Sequence, residues 1–228
     1  MMADYINSNI LAQAYVHVDP KNTNIDVEQF RREITEYAKK RIAFFISEDV
    51  DITVELFEGS IISKITIYGT LISSLMGNAA SFVKEYPDFQ EGVKVMYNDV
   101  TMACDAIICE SLFLTGSKRK EIIRLEARKG IIGSVDRIIT QINSIKNTTR
   151  VKEPSARIAA NSILSLSEEI SKLLDNIKDD EDREYIKKQL LPLVNALTLP
   201  RSKVKVEMII FYDEFVKEKS IIVGKLSS

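Results

Sequence analysis

His17 is the only imidazole in a chain of 228 residues, so histidine-based acid–base chemistry near neutral pH would have to run through it. It stands in an alternating stretch without a serine or cysteine motif beside it, and reads as a histidine on a sheet face. Zinc needs three or four clustered Cys, His or carboxylate ligands, and no such spacing occurs here. Cys104 and Cys109 are the only cysteines. Five positions turn a helix by about 140° and separate the two thiols along the axis, so they read as small buried hydrophobes in a reducing compartment.

Carboxylates are the remaining candidates for metal or acid–base work. Asp99, Asp105 and Glu110 lie on one helical stretch, where Asp99 and Glu110 share a face but stand about 16 Å apart along the axis, too far to share a metal. They read as partners for basic residues. The run Asp179 to Asp182 lacks the alternating ligands and the glycine of a calcium loop, and reads as a turn between helices. Gly130 and Gly133 fall in a helical pattern and no Gly-Lys-Ser/Thr follows a strand, which excludes P-loop nucleotide hydrolysis. The expectation is therefore no catalytic constellation, no metal and no cofactor.

Anion binding has one candidate. Lys118 to Lys129 holds six basic and two acidic residues, and on a helix Lys120, Arg124 and Arg128 would form one stripe able to grip the phosphates of a nucleic acid or a nucleotide. Against it stands Glu168 to Glu184, with eight acids and three bases, an internal or intersubunit partner for that stripe. A pI near 5.7 and the lack of aromatics among the basic residues favour this pairing over nucleic acid.

Packing has another. Small residues recur at Gly69, Ser73, Gly77 and Ser81, a spacing that lets one helix approach another, or another subunit, closely. They lie in nineteen uncharged residues, Ile65 to Val83, long enough to cross a bilayer. Six polar side chains within that stretch and its strand-like start argue for a packed soluble helix over a membrane span.

The elements that must position these residues follow from periodicity. Ile10 to Val18 alternates as a strand, Asp26 caps a helix running from Val27 to Phe45, and Val50 to Phe57 and Ile61 to Tyr68 form a hairpin around Glu58-Gly59-Ser60. From Gly69 onward the pattern is helical. Gln90 to Leu114 is apolar on two sides, through Val93, Met96, Val100, Ala103 and Ile107 and through Val95, Met102, Ala106, Cys109 and Phe113, and reads as a central helix. Further stripes run from Ile131 to Ile145, from Ala159 to Ile177 and from Ile186 to Leu197. Residues 204–215 fit strand and helix alike, and Pro200 as a first-turn residue favours helix. The expected fold is α+β and predominantly helical. A small strand-helix-strand-strand unit at 1–68 precedes an antiparallel helical bundle at 69–228.

With 45% apolar residues, 28% charged and a net charge of −2, the chain is globular and not disordered. Its size buries about 70% of the unfolded surface without disulfides or metal. Met1 to Asn9 holds no basic residue ahead of an apolar stretch, so it is not a secretory signal and a cytoplasmic protein is expected. The function expected is that of a non-catalytic accessory, scaffold or regulatory protein, not an enzyme, acting through helix-mediated self-association or docking to another protein. The alternatives are a nucleic-acid or nucleotide sensor using the basic stripe and a membrane-associated effector using residues 65–83.

Overall fold

The computed structural model describes residues 10–21, 25–46, 50–57, 61–69 and 89–228. Its elements are β1 (Ile10–Val18), α1 (Val27–Phe45), β2 (Asp51–Phe57), β3 (Ile61–Tyr68), α2 (Phe89–Thr115), β4 (Ile122–Arg128), α3 (Gly130–Arg150), α4 (Ala156–Asn176), α5 (Asp180–Asn195) and α6 (Ile209–Ser227). This is a predominantly helical α+β fold with the strands at the N-terminal side. By its contacts the chain divides between Gly133 and Ser134, within α3. The reason is β4: residues 122–128 return to the sheet and bring α2 with them.

In the first unit four antiparallel strands lie in the order β2-β3-β1-β4. Together with α1 and α2 this is the connectivity of a ferredoxin-like split βαβ unit, an architecture that hosts many unrelated activities. Ala12, Ala14, Val16 and Val18 of β1 and Ile65 and Ile67 of β3 are fully buried on one sheet face. That face receives the helices: α2 packs on β1 and β4, α1 packs on β2, and the two helices pack on each other. α1 starts where the Asp26 carboxylate accepts from the backbone N–H groups of Glu28 and Gln29, and it buries Phe30, Ile34, Ala38 and Ile42 at every fourth position.

The basic segment is not a helix. α2 ends at Gly116, whose φ of +60° stops it, and after a three-ten turn at Arg119–Glu121 the chain pairs with β1 as an edge strand. Residues four apart on a helix face are also four apart on a strand face, so the basic spacing fitted both. Ile122-Ile123 and the alternation of Arg124, Glu126 and Arg128 with Leu125 and Ala127 are the strand pattern. α2 in turn fully buries only the first of its two apolar faces: Val93, Met96, Val100, Ala103 and Ile107 are buried, whereas on the second Val95 and Ala106 are half-buried and Met102, Cys109 and Phe113 are exposed.

In the second unit each helix buries a continuous stripe: Val135, Ile138, Ile142 and Ile145 of α3; Ile163, Leu166, Ile170 and Leu173 of α4; Ile186, Leu190 and Val194 of α5. Asp179 caps α5, accepting from Asp182 N at 2.9 Å, so the acidic run is a helix start whose charges oppose the positive end of the dipole. The helix expected over 204–215 begins only at Ile209. Pro200 starts a three-ten turn instead, with Lys203 N bonded to its carbonyl. α6 packs on α4 and α5 through Phe215, Ile222 and Leu226.

Candidate functional site

The side chains able to do chemistry gather on the sheet face away from the helices, because strand register sets them opposite one another. Gln13, Tyr15 and His17 of β1 face Arg128, Glu126 and Arg124 of β4 on one side and Thr66, Lys64 and Ile62 of β3 on the other. Arg128 Nη1 donates to Gln13 Oε1 at 2.6 Å, and Gln13 Nε2 donates to Thr66 Oγ1 at 2.8 Å. Gln13 and Thr66 are buried, so this line of polar groups is satisfied internally. Arg124 and Arg128 both donate through Nε to Glu126, and both guanidiniums lie over the Tyr15 ring, 5.7 and 4.5 Å from its centre. Burial acts to raise the Glu126 carboxyl, but hydrogen bonds and charge from Arg128 and Arg124 outweigh it and hold the group below its usual value.

Of the anion-binding candidates, the structure therefore brings Arg124 and Arg128 to one strand face and leaves Lys120 in the three-ten turn before it. Both arginines pair with Glu126 in their own strand. Within the segment from Glu168 to Glu184, Glu169 pairs with Arg137 and Lys172, Asp180 with Arg183 and Glu184 with Lys187. Arg128 is nearly buried; Arg124 keeps more than half of its side chain in solvent. Gln13, Tyr15, Thr66 and Glu126 were not legible as site residues. The only signal was Gln13 standing polar between Ala12 and Ala14 in a strand.

Of the small-residue stripe, Gly69 closes β3, where a Cβ would meet Leu11 Cδ1 at 2.8 Å. Ser73, Gly77 and Ser81 lie outside the described residues, as does most of the span 65–83, whose first four residues belong to β3. Among the described residues no helix is long and apolar enough to cross a membrane, and no group of three potential metal ligands occurs.

Two further features bear on chemistry. Burial, with Asp105 adding and Lys129 opposing, pushes the Cys104 thiol up to about 12, which makes it inert; Cys109 is exposed. In the second unit a cavity of about 470 Å³ is lined by Leu197, Tyr212, Phe215, Lys219 and Val223. Lys219 Nζ donates to the carbonyls of Asn195 and Leu197 at 2.9 and 2.7 Å, closing the C-terminal end of α5. Burial lowers its pKa, yet its protons are committed to the backbone.

On the helix side of the sheet the surface is apolar. Phe113 is 78% exposed, Met102 46%, and Ile123 and Leu125 of the edge strand 58% and 37%. Cys109 is exposed too, and by helix periodicity it shares one face of α2 with Met102 and Phe113. No family model matches the chain, and neither a curated protein nor a solved structure resembles it at a significant level.

Proposed function

We propose that this chain is a non-catalytic accessory, scaffold or regulatory protein that works by self-association and docking to protein partners. The observation that supports the reading best is the second apolar stripe of α2, with Met102, Cys109 and Phe113 turned to solvent beside an edge strand carrying Ile123 and Leu125. The polar face supports it from the other side, since its guanidiniums are occupied by Glu126, Gln13 and Tyr15 and form a cross-strand brace. A cytoplasmic setting belongs to the same proposal and is supported by two free thiols.

The test is the mass of the purified protein in solution at micromolar concentration, read with its absorbance at 260 and 280 nm. The reading expects a multiple of 25.8 kDa and no bound nucleotide, and expects Phe113→Glu to reduce the mass while leaving the far-UV dichroism unchanged. A monomeric mass for the wild type removes self-association. A nucleotide spectrum lost on reversing Arg124 would favour the sensor reading instead.

A further inference from the structure

We propose that the occupant of this surface is a second copy of the chain, joined through antiparallel pairing of β4 with β4 about a two-fold axis at Leu125; this rests on the self-association reading above. β4 is an outer strand, and no other strand among the described residues lies along its far side. Exposed edges are ordinarily blunted by charged side chains, proline, bulges or a covering element, and like charges there repel a second copy. Here the signs alternate, as Arg124, Glu126 and Arg128.

Register follows from two constraints. Opposed residues of an antiparallel pair must lie on the same sheet face, so the two-fold can pass through a residue but not between two. Centred on Glu126, the pairing would oppose Glu126 to itself and Arg124 to Arg128; centred on Ala127, it would oppose Glu126 to Arg128 but leave residues 122–125 of β4 unpaired. Centred on Leu125, it opposes Arg124 to Glu126 of the second copy, twice by symmetry, on the polar face. On the helix side it sets Leu125 against Leu125 and Ile123 against Ala127. The β-bulge where Ile122 and Ile123 together oppose Val18 ends the regular ladder on that side.

α2 packs on β1 and β4, so the two-fold sets a copy of α2 on the same sheet face to each side of the seam.

Sedimentation of Arg124→Glu, Glu126→Arg and their equimolar mixture tests this. Each variant alone opposes like charges across the axis twice and should be monomeric where the wild type is dimeric. In the mixture the introduced glutamate of one chain faces the introduced arginine of the other, and the native Glu126 of the first faces the native Arg124 of the second. The mixture should therefore recover the dimer mass, a rescue that no effect within one chain can produce. Leu125→Cys in a Cys109→Ser background should form an intersubunit disulfide on oxidation, because position 125 faces itself across the axis. If both charge variants stay dimeric, if the mixture stays monomeric, or if the Leu125→Cys variant fails to cross-link, the proposed pairing is wrong. A dimer insensitive to all of these changes removes this inference alone. A monomeric wild type removes the self-association reading with it.

Discussion

Arg128 and Gln13, 115 positions apart, meet at 2.6 Å between Nη1 and Oε1 and tie the last strand of the sheet to the first. Gln13 is buried, and its amide N–H continues to Thr66 on β3, so one arginine holds three strands in register. Removing the guanidinium leaves a buried carbonyl oxygen without that donor. Arg128→Met should therefore cost about 1–3 kcal/mol. In a double-mutant cycle with Gln13→Leu the two losses should be clearly less than additive, read from urea midpoints. Additivity within about 0.5 kcal/mol would show that the contact does not couple the strands.

Glu126 gives a pH dependence of known sign. Its folded pKa lies below the usual 4.5, so the stabilisation is present above that value and is lost as pH falls through the lowered folded pKa. Glu126→Gln should be less stable than wild type at pH 7 by about 0.2–1 kcal/mol, and the two should converge in acid. Urea titrations between pH 7 and pH 3 read this directly. A gap that stays constant would place its origin outside the ionised carboxylate.

Two glycines with positive φ should respond differently to alanine. At Gly130, with φ +48°, a Cβ would lie 2.1 Å from the Ile10 carbonyl oxygen and 2.7 Å from that of Leu11, both backbone atoms. At Gly116, with φ +60°, it would meet nothing within 4 Å. Gly116→Ala should cost only the left-handed backbone term, about 1–2 kcal/mol, and Gly130→Ala distinctly more. Equal shifts in melting temperature would contradict this geometry.

Ser63 is fully buried on the helix side of β3, opposite Val16 and Leu56, and its hydroxyl has no partner among the described residues. Ser63→Ala removes a desolvated polar group and should raise stability by about 1 kcal/mol. Loss of stability would reveal a partner for the hydroxyl.

Thiol chemistry should separate the two cysteines. In the Phe113→Glu variant, which the self-association reading makes monomeric, Cys109 should react readily with a maleimide or disulfide reagent, while Cys104, buried and with its thiol at about 12, should react only after denaturation. Mass spectrometry after native labelling should find one modification per chain, at Cys109.

What the sequence alone determined is whatever each element decides locally. Asp26 and Asp179 announce helix starts because a short side chain can satisfy backbone N–H groups nearby, and the stripes of α3 and α4 emerge because apolar spacing is a property of consecutive residues. Ala12 to Val18 declares a strand with a buried face for the same reason. Tertiary structure decided that Arg124 and Arg128 lie on a strand: their four-residue spacing suits both periods, and the free edge of β1 takes up the alternation around them. It also turned the second stripe of α2 to solvent. Apolar periodicity records which faces can be buried, but only the packing of α1 and the sheet against α2 determines how many are. Gln13 became part of the polar brace because β4 returns from 115 residues away, a pairing set by long-range geometry that no local pattern carries.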